Sequence, residues 1–167
     1  YWLTHACDRD THSKKTGNKI YDITFVGTIN AKRESMLSSL RKKFSVHYER
    51  CHGARMAEVY SQSKIIFNTS TVNEINMRVF EAMASGSMLL TDKAPGSGLE
   101  ELFTDRIHLV YYNNESDLIS LADYYLNHDD ERECIAKTGM TEVPEKHTYD
   151  CRIVSMIETV ISSEKMG

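Results

Sequence analysis

KIIFNTSTVNEINMRVFEAMASGSMLLTD, residues 64–92, decides the fold. An apolar strand, Lys64 to Asn68, leads through a polar turn into a helix with a glutamate on its polar stripe; a glycine and a second apolar strand, Ser87 to Thr91, follow. Polar groups gathered at the carboxyl end of a strand, ahead of a helix, are how an open α/β sheet forms a ligand crevice. Within the helix, Met77, Phe80, Met83 and Ala84 recur at helical spacing and are expected to face the sheet, while Glu74, Arg78, Glu81 and Ser85 share another face. Thr71 or Asn73 can cap its amino end, and Gly86 suits the position just past its carboxyl end. Free N–H groups and the positive dipole end there favour phosphate, so a phosphorylated ligand is the first expectation. A purely structural account covers the same residues: Thr71 with Glu74 is a capping box, and Arg78 with Glu81 is an i, i+3 ion pair contributing roughly 0.2–0.5 kcal/mol.

Outward from this unit, strands and helices alternate. Asp22 to Val26 reads as a first strand closed by Gly27, and Arg33 to Phe44 as a helix with Leu37, Leu40 and Phe44 on its apolar face. Ser45 to Glu49 reads as a strand, Ala54 to Ser61 as a short helix, Leu99 to Phe103 as a helical turn and Ile107 to Tyr111 as a fifth strand. Such alternation predicts an α/β fold with a doubly wound, mainly parallel sheet. The remainder reads as helical: Leu118, Leu121, Ala122 and Tyr125 share one stripe, and Ile153, Met156, Ile157, Val160 and Ile161 another. Residues 1–20, with Lys14-Lys15-Thr16-Gly17-Asn18 in the middle, have turn and linker composition.

Composition excludes several classes. The 167 residues are 41% hydrophobic and 26% charged, enough for one globular core, and the net charge of −4 argues against a non-specific grip on nucleic acid. The apolar runs are strand-sized, too short for a transmembrane helix, and no signal-peptide core opens the chain, so the default location is cytoplasmic. Cys7, Cys51, Cys134 and Cys151 lie far apart without C-x-x-C spacing, which favours neither a disulfide framework nor zinc. Cys51 and His52, with His47 nearby, are the one cluster resembling ligands, and a bunch at one strand end without a second pair reads as incidental. No metal site is expected.

MRVFEAMASGSMLLTD resembles the signature segment of the group 1 glycosyltransferases, whose two-domain architecture is called GT-B, and most closely their CgeB-like subgroup. The resemblance continues in YDITFVGTINAKRESML (21–37), YSQSKIIFNTS (60–70), LEELF (99–103), YYLNHDDERECIAKTG (124–139) and HTY (147–149), in family order. It implies a Rossmann-like carboxyl-terminal domain, here residues 21–147, that binds a nucleotide-sugar donor, UDP- or GDP-linked. Residues 1–20 would then be the interdomain linker or the start of the domain, and 148–167 an amphipathic helix packing on this domain or on an amino-terminal partner. The acceptor, a sugar, protein or glycan, would be held mainly by that partner half, so the isolated domain is expected to transfer nothing. The abrupt start at Tyr1, without an initiator methionine, fits half of a larger enzyme.

Site residues follow from the same resemblance. Glu81 matches the glutamate that grips the donor ribose, since a carboxylate can accept two hydrogen bonds from a vicinal diol. The other member of the family's Glu-x7-Glu pair falls on Asn73, with Glu74 beside it: an amide replaces a charge. In the family's Gly-Arg-x4-Lys pattern Gly27 is kept, Thr28 stands in place of the arginine and Arg33 on the lysine. Arg33 and Arg78 are therefore the expected catalytic cations, stabilising the leaving diphosphate without a metal. Ser70 and Thr71 can offer hydroxyl and N–H groups to phosphate, Ala94 to Gly98 forms a comparable loop, and His147 is expected to cap or pack. Two other classes stay open: a catalytically silent ligand-binding or interaction domain, because Thr28 and Asn73 depart from the pattern, and an NAD(P)-binding Rossmann domain, for which Gly27 alone falls short of G-x-G-x-x-G.

Overall fold

A computed structural model describes residues 2–164. In chain order its elements are β1 (Tyr21–Val26), α1 (Ala31–Arg41), β2 (Val46–Glu49), α2 (Gly53–Ser61), β3 (Ser63–Asn68), α3 (Met77–Ala84), β4 (Met88–Asp92), α4 (Leu99–Leu102), β5 (Val110–Tyr112), α5 (Glu115–Asn127), α6 (Asp129–Lys146) and α7 (Tyr149–Glu164). The five strands form one sheet in the order β2-β1-β3-β4-β5, and every pairing is parallel. This is a doubly wound sheet whose strand order reverses between β1 and β3, and the carboxyl ends of strands at such a reversal are where ligand crevices open.

Side-chain alternation along the strands assigns the two faces. Val26, Ile66, Leu89 and Tyr111 point to one side, where they pack with Val59 and Tyr60 of α2, Phe80 and Met83 of α3, and Val143 of α6. Ile23, Phe25, Ile65, Phe67, Met88, Leu90, Val110 and Tyr112 point to the other, against Leu37 and Leu40 of α1, Leu118 and Ala122 of α5, and Ile135 and Ala136 of α6. Burial on both faces is why these strands read as near-continuous apolar runs.

Most boundaries fall within a residue or two of the sequence expectation, and two of the shifts have a visible local cause. The fifth strand starts at Val110, not Ile107, because Arg106 takes a left-handed turn (φ 58°) that leaves Ile107 half-exposed. The first helix begins at Ala31, two residues early, because the Asn30 side chain accepts from the Arg33 N–H and caps it. Residues ahead of β1 lie on the domain: Ala6 and Cys7 are fully buried, Cys7 pairs with the Thr148 segment, and the Lys19 ammonium donates to the Gly86 carbonyl past the end of α3. On α7, Ile153, Met156, Ile157 and Val160 are each about half exposed.

Helices α3 and α6 meet closely at Gly139, where an added Cβ would stand 2.6 Å from the His108 carbonyl oxygen and 3.2 Å from the Met83 sulfur. Backbone cannot yield as a flexible side chain can. Gly139→Ala is therefore expected to destabilise the domain by about 1–3 kcal/mol despite alanine's better helix propensity; urea unfolding checks it, and a gain in stability would contradict this packing.

Candidate functional site

Phe25, one residue before the end of β1, is the floor on which the cations gather. The Arg78 guanidinium lies 4.7 Å from its ring centroid and that of Arg33 5.7 Å. Arg78 donates from Nε to the Val26 carbonyl at 2.8 Å and from Nη1 to Asn68 Oδ1 at 2.6 Å, so it straddles the carboxyl ends of β1 and β3. Its third nitrogen, Nη2, lies where a side chain on Gly27 would be. With φ at 138°, Gly27 satisfies a backbone conformation and a close approach together. Arg33 donates to the Thr28 carbonyl at 2.8 Å and more weakly to the Thr69 carbonyl at 3.4 Å, while its buried Nε has no partner. Burial lowers the pKa of Arg33, and the neighbouring Arg78 charge lowers it further, against the pull of Glu74 and Asp92. Two guanidinium groups on one aromatic ring, one with an idle donor, form an electropositive seat for an anion.

The expected chemistry-bearing face of α3 is covered, not exposed. Everything from Val79 to Ala84 is buried, and Glu81 is only 7% exposed. Its carboxylate lies 3.6 Å from Nε2 of the buried His12, a residue of the segment ahead of β1, and does not pair with Arg78. Burial pushes the Glu81 carboxyl up to about 7, opposed by Arg78, and burial lowers the pKa of His12. Met77, expected in the core, is 40% exposed and lines the cleft. The helix begins after Asn76, so neither Thr71 nor Asn73 caps it and the capping box does not form. Burial of Ile75 and the left-handed backbone of Asn73 (φ 54°) keep the preceding turn out of helical register.

One cleft of about 360 Å³ joins these groups. Gly27, Arg33, Glu74, Arg78 and Glu81 line it, and Cys51, His52, Met56 and Tyr60 form its opposite wall. Three buried polar atoms without hydrogen-bond partners among the described residues border it: Arg33 Nε, the Tyr60 hydroxyl and Asn76 Oδ1. Burial keeps Tyr60 protonated, with Arg78 acting in the opposite sense. Unsatisfied buried groups cost about 1–3 kcal/mol each, so their convergence on one cleft marks a site completed by a polar occupant.

Other expected residues lie elsewhere. Ser70 is buried, its N–H and hydroxyl both donating to Asp92 at 2.8 and 2.7 Å, which leaves neither for phosphate. Thr71 is exposed beyond that knot, Thr28 contributes its carbonyl to Arg33, and Asn73 lies on the rim. His147 packs 4.8 Å from Phe103, and burial lowers its pKa to about 4. His47 stacks on Tyr21 and pairs with Glu49, apart from the cleft. Among the described residues, no three His, Cys, Asp or Glu side chains are grouped to hold a metal ion, and no helix is long and apolar enough to cross a membrane. Sequence reading passed over Asn68, buried within an apolar run, which accepts from Arg78 and Asn76 and donates to Thr91 at 2.9 Å. A lone amide at the end of a buried strand was the available signal.

Comparison with known proteins adds a family and a set of folds. Residues 16–158 match the glycosyl transferase-like family. Among solved structures, Alr3699/HepE from Anabaena, determined with UDP and glucose, superposes with a TM-score of 0.75 at 13% identity over 96% of this chain and 56% of its own. The carboxyl-terminal domain of a group 1 family glycosyl transferase, LpcC from Francisella tularensis, gives 0.72 at 13% over 86% of this chain and all of its own. Sucrose-phosphate synthase from Thermosynechococcus elongatus gives 0.66 at 14%, over 86% of this chain and 39% of its own. At these identities the likeness carries the fold. No curated protein matches the sequence.

Burial of Glu81 has a thermodynamic signature. A carboxyl whose folded pKa lies near 7 against an ordinary 4.5 holds its proton more tightly when folded. Its stabilising contribution is full below the ordinary value and is lost as pH rises through 7, a change on the order of 3 kcal/mol. His12, lowered by burial, acts in the opposite sense, its contribution being lost as pH falls through the ordinary histidine value. Glu81→Gln leaves the His12 effect in place, so it is expected to raise the melting temperature at pH 8 and to change it little at pH 5. An equal shift at both values would contradict the buried, proton-holding carboxyl.

Proposed function

The chain belongs to the glycosyl transferase-like family, and we propose that it is the donor-binding domain of a two-domain GT-B glycosyltransferase of the CgeB-like kind. In this reading the enzyme transfers a sugar from a UDP- or GDP-linked donor to a sugar, protein or glycan acceptor in the cytoplasm. The observation that carries it is the convergence of Arg33, Arg78 and Glu81 on one cleft at the strand-order reversal. Arg33 and Arg78 take the diphosphate, and their preorganised donors stabilise the charge that develops as the glycosidic bond breaks. Glu81 in its carboxylate form accepts from the ribose hydroxyls, Gly27 lets the phosphates approach the backbone, and Glu74 and Asn73 edge the path toward the sugar. The charge of the arginine pair does the work that a divalent cation does at other diphosphate sites.

The exposed apolar stripe of α7 is, on this reading, a surface for the amino-terminal half that holds the acceptor. The relatives support a larger whole, since this chain spans 39% of the sucrose-phosphate synthase and 56% of HepE. A one-sided cleft cannot exclude water or position a nucleophile, so the 167-residue chain alone is expected to bind a nucleoside diphosphate and transfer no sugar.

Calorimetric titration with uridine, UDP, guanosine and GDP tests the assignment. Glu81→Gln is expected to weaken nucleoside and diphosphate binding alike, whereas Arg78→Ala or Arg33→Ala weakens only the diphosphate, each by roughly ten- to a hundredfold. Affinity should also fall as the pH drops below about 7 in the wild type, where Glu81 takes up its proton, and not in Glu81→Gln. Unchanged binding in all three variants would reject the site, and sugar transfer by the chain alone would reject the division of labour.

A further inference from the structure

Glu81 lines the cleft and His12 does not, so the imidazole, with Nε2 3.6 Å from Oε1, backs the carboxyl group from outside the ligand space. Both residues are buried. The imidazole is held in place by its own turn: the His12 N–H donates to the Asp8 carbonyl at 3.0 Å, and the Asp8 N–H donates to His12 Nδ1 at 3.2 Å. The Ser85 hydroxyl, one helical turn after Glu81, lies 2.8 Å from the Glu81 carbonyl and 3.0 Å from the His12 carbonyl, which fastens the turn to α3. A backbone N–H can only donate, so Nδ1 accepts and the neutral ring carries its proton on Nε2, the nitrogen that approaches Glu81. Among the described residues, Nε2 has no other partner and the Glu81 carboxyl accepts no hydrogen bond.

From this arrangement we propose that His12 is a positioning residue of the cleft: its Nε2–H is the donor that steadies the Glu81 carboxylate while the cleft side of that carboxylate takes the ribose hydroxyls. At 3.6 Å the contact is longer than a hydrogen bond, which suits a carboxyl that keeps its own proton. A charged acceptor draws donors closer, so ionisation of Glu81 closes the gap. Buried carboxylates are tolerated when their oxygens are hydrogen-bonded, and diol and imidazole meet that need from two sides. Support from behind also fixes the rotamer that the ribose must find. The other ionisable groups facing Glu81 are Arg78 on its own helix, Tyr60 of α2, Tyr149 of α7 and Cys7 of the leading segment. Burial keeps the last three protonated, so of these Arg78 alone is charged. Asp8 and Lys15 face His12, and burial favours its neutral ring. The inference rests on the donor reading for what fills the cleft.

Calorimetric titration of the chain with uridine, UDP, guanosine and GDP from about pH 5 to 9 tests the role, with a melting curve for each variant. His12→Leu fills the space without a donor. It should weaken nucleoside and diphosphate alike by roughly tenfold, and the loss of affinity on acidification should begin at a higher pH, because a carboxylate deprived of a donor holds its proton more tightly. His12→Gln, whose amide N–H reaches about as far as Nε2–H, should restore both. In a Glu81→Gln background His12→Leu should change affinity little, since the effect passes through the carboxylate. Should His12→Leu melt early, His12→Phe takes its place. Equal behaviour of the Leu and Gln variants assigns His12 to packing and overturns the proposal, and so does an undiminished loss in the Glu81→Gln background. If no nucleotide binds the wild type, the donor reading fails separately, and carbon NMR of the Glu81 carboxyl through its titration reads the pair directly. A midpoint raised in His12→Leu and returned in His12→Gln upholds it; a midpoint that neither variant moves overturns it.

Discussion

The position of Arg78 constrains everything around the cleft. Its guanidinium is fastened to the last carbonyl of β1 and to the Asn68 side chain at the end of β3, the two strands between which the sheet reverses its order. A planar group held at two points cannot wander, and the geometry of its neighbours follows. Gly27 must lack a side chain because Nη2 lies in that space. Asn68 must accept, and it is held to β4 through Thr91 and to β5 through the Tyr112 hydroxyl, which donates to its carbonyl at 2.9 Å. One chain of hydrogen bonds thus crosses four of the five strands at their carboxyl ends. Preorganisation of this kind is what an electrostatic site needs, because donors fixed before the ligand arrives cost no reorganisation when charge develops.

That edge carries several electrostatically unfavourable arrangements at once. Arg33 and Arg78 repel each other across Phe25, Glu81 is buried where its charge is poorly solvated, and Tyr60 and Asn76 keep unused polar atoms beside it. The two apolar layers supply the counterweight, with Phe25, Phe67, Tyr112 and Leu37 on one face and Tyr60, Phe80 and Phe103 on the other fully or almost fully buried. On the proposed donor reading, a phosphate between the guanidinium groups would remove their repulsion, and a diol on Glu81 would replace the solvent it has lost. Sites that sacrifice stability in the empty state and recover it on binding are the usual form of the trade between stability and activity.

The sheet was legible in the sequence because its signal is local. Apolar runs such as Lys64 to Asn68, punctuated by Gly27 and Gly86, carry their period within a few residues. The site was legible only in part, because its partners come from afar. Glu81 lines the cleft but does not lie on the open helix face expected for it, since its cover is His12, almost seventy residues earlier in a segment with no hydrophobic period. Ser70 looked available because the carboxylate that engages it, Asp92, ends a different strand. Helix α3 starts three to five residues later than its capping signals suggest, because burial of Ile75 outweighs a cap. In each case tertiary contact overrode a local preference that was itself read correctly.

The two departures from the family pattern are unequal once space replaces sequence position. A diphosphate needs positive charge at a place, and the element that delivers it is immaterial. Thr28 cannot supply that charge, but Arg78 reaches the same end of β1 from α3, passing over Gly27, and Thr28 still contributes by giving its carbonyl to Arg33. On the proposed donor reading, Arg78, held 2.8 Å from the Val26 carbonyl, stands in for the missing cation. Asn73 has no such substitute at its own position. The next residue, Glu74, follows the left-handed turn at Asn73 and lines the cleft. If the cleft binds a donor as proposed, the positive charge facing the diphosphate is kept in kind by Arg33 and Arg78, whereas the Asn73–Glu74 turn differs by one residue in register, so a change of specificity would arise at that turn before the arginine pair.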